Sequence, residues 1–283
     1  MDIFNQLKDM QINEWVTVSP IEAPKEMSES KNCIQMDDAR SAAFYALGEA
    51  VKKNCKVALC VEGMYLTNIY TAITEAWFQK ANILIVALFD RVNEVKTAWM
   101  DRCVGKVITC MEDELDLYRN EVKTAVNNGI VLLNVVVKRE TKELVDYNNI
   151  LENLSQVCEK NQKVFCYNAE TIKEDIDLNV QKIDIRNKYG IFSKYIGSVA
   201  AGSKGILCCT ADCILVDVNI FRTRYNSDDI KIIILDENNI IGSKNIDKWI
   251  ESNGFRCIYA YVDDKEVYKK LVDSKKSTIL ILK

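Results

Sequence analysis

The chain predicts an α/β protein built from two doubly wound, mostly parallel sheets with helices on both faces. Three observations lead there. Apolar runs of strand length recur along the sequence, and they are continuous rather than alternating, as in strands buried on both faces. Stretches with helical spacing separate them, which is the pattern of β-α-β units. A charged segment without an apolar run, 138–149, interrupts the series once, and a second series of similar size follows.

In the first half, KVALCV (Lys56 to Val61), ILIVALF (Ile83 to Phe89) and GIVLLNVVV (Gly129 to Val137) read as buried strands. Helical patterns run from Arg40 to Lys53, Tyr65 to Lys80 and Glu112 to Asn127. Glu112, Asp113 and Glu114 suit a helix N-terminus, and Asn127-Asn128-Gly129 suits a helix end. Pro20 and Pro24 bracket an irregular connection. The expected domains are 1–145 and 146–283. In the second, a helix from Asn149 to Lys160 precedes the strands VFCY (Val164 to Tyr167), ILCCT (Ile206 to Thr210), IKIIIL (Ile230 to Leu235), CIYAYV (Cys257 to Val262) and STILIL (Ser277 to Leu282). Helices are expected from Lys188 to Ala201 and from Asp263 to Ser274.

Composition removes several functions. A net charge of −4 gives no basic footprint for a nucleic-acid partner. No apolar run reaches membrane-spanning length. The run MDIFNQLKDMQINEW lacks the apolar centre of a secretory signal, so a cytoplasmic protein is expected. The eleven cysteines include no CxxC pair, and Cys60, Cys166, Cys208, Cys209 and Cys257 fall in apolar runs. They read as reduced thiols used as small hydrophobes. There is no histidine, which excludes Ser-His-Asp and Cys-His catalysis. Trp77, Trp99 and Trp249 are expected in core or interface positions.

Three stretches carry a resemblance. DDARSAAFYALGEA begins at Asp37, KVALCVEGMYLTNIYTAITEAW at Lys56 and ILIVALFDRV at Ile83. Together they resemble the pyrimidine-binding domain of thiamine-diphosphate enzymes, and within these the carboligases of menaquinone biosynthesis. Asp38, Arg40, Ser41, Ala42, Phe44, Ala46, Leu47 and Gly48 match the first part of the pattern. Gly63, Asn68, Tyr70, Ala72, Glu75 and Ala76 match the second, and Asp90-Arg91 the third. Beyond residue 146 the chain resembles the family's diphosphate-binding domain through Ala211-Asp212-Cys213, LVDVN (Leu215 to Asn219) and Asp236-Glu237-Asn238-Asn239. The family's usual middle domain has no counterpart. The resemblance implies the thiamine-diphosphate-binding fold twice, thiamine diphosphate and Mg²⁺ as cofactors, and a homodimer or a heteromeric partner subunit.

The departures matter as much as the matches. The family's catalytic glutamate, which favours the cofactor's imino form, falls on Ala39. Asp38 and Glu62 are the candidate substitutes. Asp38 serves only if the backbone turns there, and Glu62 otherwise reads as a solvated loop acid. Gly63 and Asn68 are expected near the cofactor. Two registers compete in the second domain. One places Asp212 on the family's metal-binding aspartate, with Asn238 and Asn239 as amide ligands, and Mg²⁺ takes such hard oxygen donors. The other places Ala211 there, with Asp236-Glu237 near the asparagines. In the first, Ala211 and Cys213 replace two glycines, and their Cβ atoms crowd a diphosphate. The loop after Asn239 is short, with the next helix expected near Ile246.

Two functions follow. One is a degenerate homologue acting as a binding or scaffold protein, with Phe44, Leu47 and Gly48 kept for the core. The alternative is an active decarboxylase or carboligase of 2-oxo acids with a non-standard proton relay.

Overall fold

The structure, a computed structural model, describes residues 3–8, 10–19, 21, 24–28, 32–137, 145–160, 162–167, 169, 180–185, 188–222 and 230–283. Pro20 and most of the charged interruption lie outside these. The chain divides into two compact units, Met1–Thr141 and Lys142–Lys283.

The first unit holds six strands: β1 (Glu14–Val18), β2 (Cys33–Met36), β3 (Val57–Glu62), β4 (Ile83–Phe89), β5 (Lys106–Met111) and β6 (Val131–Val136). They form one sheet in the order β2-β1-β3-β4-β6-β5, every pair parallel. Helices α1 (Ile3–Lys8) and α5 (Leu115–Val126) cover one face, packing Ile3, Phe4, Leu7, Leu115, Val122 and Val126 against Cys60, Val86 and Leu133. A short helix, α2 (Lys25–Ser28), precedes β2. Helices α3 (Ala39–Lys53) and α4 (Leu66–Phe78) lie side by side, with α3 against β1 and β3. The buried face of α3 is mostly alanine: Ala39, Ala42, Ala43, Ala46 and Ala50, with Leu47. Small side chains let a helix sit close to a strand layer, and the burial of each methylene stabilises by about 0.8 kcal/mol.

The second unit repeats the design. Its strands are β7 (Gln162–Tyr167), β8 (Val180–Ile185), β9 (Gly205–Thr210), β10 (Lys231–Leu235), β11 (Arg256–Ala260) and β12 (Thr278–Leu282). The order is β8-β7-β9-β10-β12-β11, again all parallel. Numbered within its own unit, each sheet reads 2-1-3-4-6-5. Helices α6 (Asn148–Val157) and α11 (Lys265–Val272) cover one face. Helices α7 (Ile191–Ala200), α8 (Asp212–Asp217), α9 (Ile240–Ser243) and α10 (Ile246–Ser252) cover the other. Among the described residues, no helix is long and apolar enough to cross a membrane.

The structure corrects several expectations. Strands β1, β2, β5 and β8 are additional to those expected. In β2 every residue is half-buried or exposed, and in β5 only Ile108 and Cys110 are buried. Phe44 is not in the core: it lies on the outer side of α3, 42% exposed, while Leu47 is buried. Of the core or interface positions expected for the tryptophans, Trp249 packs against the core of the second unit, and Trp77, 51% exposed, and Trp99, 40% exposed, are outside the core. Cys257 is half-buried, and burial pushes its thiol up to about 12.

One hydrogen-bond cluster ties the second sheet to its covering helix. The hydroxyl of Tyr195, in α7, accepts from the N–H of Lys231 at 2.9 Å and lies 2.9 Å from the Gly205 carbonyl and 2.8 Å from that of Lys231. It therefore bridges the amino ends of β9 and β10 from inside the core. Lys231, almost buried, turns its ammonium to the carbonyls of Ser274 and Lys276, just past α11. A Tyr195→Phe variant leaves a buried N–H and carbonyl without that partner. It is expected to lower stability by about 1–3 kcal/mol in urea unfolding, with an unchanged slope.

Candidate functional site

Parallel pairing sends the carboxyl ends of all strands in a sheet to one rim, where doubly wound folds place their ligands. On the first rim, the chain leaves β2 through Asp37 and Asp38 into α3. Asp38 is extended (φ −108°, ψ 121°), and its carboxylate accepts the N–H of Ser41 at 2.7 Å. It is the N-cap of α3, a role that stabilises by about 1 kcal/mol. Ala39 is the first residue of the helix, and its methyl is fully buried. The position to which the resemblance assigns a carboxyl thus faces the core, and the neighbouring carboxyl holds a helix end.

Glu62 corrects an expectation. It is not a solvated loop acid: it closes β3 and is 3% exposed. It pairs in register with Leu88, at the end of β4. Gly63 follows, and a Cβ built there would lie 2.1 Å from Cε1 of Phe89. Glycine is needed here for the close approach of that ring. Asn68 sits in the first turn of α4, half-buried, 3.5 Å from the Thr67 hydroxyl. Asp90 and Arg91 follow β4 and are exposed. A separate cavity of about 270 Å³ lies at the carboxyl ends of β5 and β6, lined by Gln6, Met111, Glu112, Asp113 and Val136. None of the residues expected from the sequence lines it.

The second rim brings Asp212 and the Asn238-Asn239 pair to the ends of adjacent strands, β9 and β10. Ala211 and Cys213 flank Asp212, and both side chains are buried in the core under α7 and α8. Packing draws both side chains inward. The Ala211 N–H donates to the Leu235 carbonyl at 2.9 Å, which fixes the turn to β10. Asp212 is left partly exposed. One carboxylate oxygen accepts from the Thr210 hydroxyl, and the other lies 3.5 Å from the ammonium of Lys188. Asp236 is buried, and its two oxygens accept the N–H groups of Ile240, at 2.6 Å, and Ile241, at 3.0 Å. It caps α9. Glu237, Asn238 and Asn239 are exposed, and Asn239 is left-handed at φ 51°. Among the described residues, no three acidic or cysteine side chains converge as a metal-binding group.

Lys188 and Thr210 are the rim residues the sequence reading missed. Lys188 lies 24 positions before Asp212, in a polar turn between β8 and α7, and no motif links the two. Only the strand order β8-β7-β9 brings them together. Asp217, in the LVDVN stretch, also has a structural partner. It accepts the N–H of Ser193 at 3.0 Å and the Ser193 hydroxyl, tying α8 to the start of α7. Burial raises its carboxyl above the usual range, and these bonds partly offset the rise.

No family model matches the chain. Curated relatives match it locally. Over 96 residues it is 30% identical to the 2-succinyl-5-enolpyruvyl-6-hydroxy-3-cyclohexene-1-carboxylate synthase of Bacteroides fragilis, a stretch that is 34% of this chain and 16% of that protein. Identity to the synthase of Bacteroides thetaiotaomicron is 28% over the same length and shares. The synthase of Oceanobacillus iheyensis matches at 43% over 60 residues, 21% of this chain and 10% of that protein. The chain thus covers a small part of these relatives' length. The local similarity supports a relationship between this chain and the thiamine-diphosphate enzymes.

Proposed function

We propose that this chain is a degenerate relative of the thiamine-diphosphate enzymes, acting as a binding or scaffold protein with the cofactor's chemistry weakened or lost. Ala39 carries the reading. A buried methyl cannot hydrogen-bond an aminopyrimidine ring, and loss of an acid-base group costs about 10²–10⁴ in rate. Asp38 does not replace it, because its carboxylate caps α3. The donor set of the second rim does not fit Mg²⁺. Asp212 faces an ammonium and a hydroxyl, and Asp236 is taken up by backbone N–H groups. Ala211 and Cys213 are core residues, so the turn between them answers to packing.

One observation favours the alternative of an active, Mg²⁺-dependent 2-oxo acid decarboxylase or carboligase. Glu62 is a buried carboxyl at the carboxyl end of a central strand, the place where a substitute acid would stand. A titration with thiamine diphosphate, with and without Mg²⁺, separates the two by thermal shift. The degenerate reading expects no shift at millimolar cofactor. A saturable, Mg²⁺-dependent rise, about 2.7 kcal/mol at 100 times the dissociation constant, would overturn it. Loss of that rise in a Glu62→Gln variant would assign Glu62 the missing role.

A scaffold needs a surface. On the first unit, α3 exposes Phe44, Tyr45 and Val51, and the neighbouring α4 exposes Trp77 and Phe78 at its end. Phe78 is 68% exposed and its ring packs edge-on against that of Trp77, and exposed apolar patches mark interaction sites. A second copy of the chain is the proposed occupant, because the resemblance implies a dimer; a partner subunit is the other outcome. Sedimentation is expected to give a dimer, and the double variant Phe44→Asp, Trp77→Asp a monomer with an unchanged melting temperature. A monomeric wild type would overturn self-association.

A further inference from the structure

We infer that the ammonium of Lys188 is the built-in counter-cation of Asp212, a fixed internal charge standing where the resemblance places a dissociable Mg²⁺. This deepens the proposed loss of cofactor chemistry and rests on that reading only for the identity of the displaced ion. The Lys188 side chain is 3% exposed, and a buried ammonium is stable only when paired or hydrogen-bonded. Asp212 Oδ2 lies 3.5 Å from its Nζ. The other carboxylate oxygen accepts from Thr210, the last residue of β9, so both oxygens have partners from the chain itself.

The fold holds the pair in place at both ends. Asp212 opens α8 directly after β9, with Ala211 and Cys213 buried on either side of it. Lys188 lies just ahead of α7, whose Ile191, Phe192 and Tyr195 are in the same core. A divalent cation at Asp212 would have to shed part of its water shell and approach an ammonium that cannot diffuse away. Mg²⁺ demands near-ideal octahedral oxygen geometry and dehydrates reluctantly. The neighbouring donors do not compensate. Asp236 is closed off as the cap of α9, while Asn238 and Asn239 offer only neutral amides on an exposed turn.

The two assignments of Asp212 differ in what happens without metal. If Lys188 is its partner, removing the Asp212 charge in EDTA takes a carboxylate away from a buried ammonium and lowers stability. If Mg²⁺ is, removing that charge in EDTA costs nothing. The experiment compares wild type, Asp212→Asn, Lys188→Met and the double variant by thermal melting in EDTA, with parallel Mg²⁺ titrations by calorimetry. Asp212→Asn is expected to melt about 5 °C lower in EDTA, as for a broken ion pair with one buried partner. The double variant is expected to regain part of that loss, because the two residues are coupled. Wild type is expected to give no Asp212-dependent heat with millimolar Mg²⁺. An unchanged melting temperature for Asp212→Asn in EDTA overturns the assignment, and so does saturable Mg²⁺ binding by wild type that this variant abolishes. Asp212 is partly exposed, so its variant folds even if Lys188→Met does not. Stabilisation by thiamine diphosphate in EDTA would overturn the degenerate reading and leave the pair intact.

Discussion

An all-parallel sheet imposes one condition from which the rest of this protein follows. Each strand must be left through a crossover that returns the chain to the starting edge, so both faces are covered and every strand ends on one rim. Both units meet that condition in the same strand order. The central strands β3, β4, β6 and β12 are buried along their whole length. Polar chemistry is thereby driven to the junctions between strand ends and helix starts. Asp38, Glu62, Asp212 and Asp236 all stand there.

A carboxylate can hold a ligand or a helix, and among the described residues several hold helices. Asp38 accepts the N–H of Ser41, Asp236 those of Ile240 and Ile241, and Asp217 reaches from α8 to the start of α7. Both uses draw on the same property, the row of unpaired N–H groups at a helix N-terminus. A chain that loses its ligand can therefore keep its acids for a structural reason. Residue identity alone does not separate the two uses; the donor facing each oxygen does.

The strands legible in the sequence are those that carry an unbroken apolar run: most are buried along their length, while β7 and the edge strand β11 show the run although they are only partly buried. Strands β2, β5 and β8 are edge strands of their sheets. Their alternation is too short and too polar to stand out. Strand β1 is central, yet Glu14 and Thr17 interrupt it. Phe44 misled for a different reason: the inner face of α3 is filled by alanines, so the largest apolar side chain of the motif points outward. Glu62 misled because a strand end can bury an acid that sequence places in a loop. The pairing of Lys188 with Asp212 had no local signature, since it depends on three strands lying side by side.

The thiols have a use of their own. Cys60, Cys103, Cys110, Cys166, Cys208, Cys209 and Cys213 are free and buried, spread over β3, β5, β7, β9, α8 and the turn before β5. Burial raises Cys60, Cys208 and Cys209 above the ordinary thiol range, so little reactive thiolate exists in the closed fold. Alkylation of each one must wait for its own stretch of backbone to open. Without any added label, the chain carries a set of internal clocks, at least two in each unit, whose separate ticking would show whether the two sheets come apart together or one at a time.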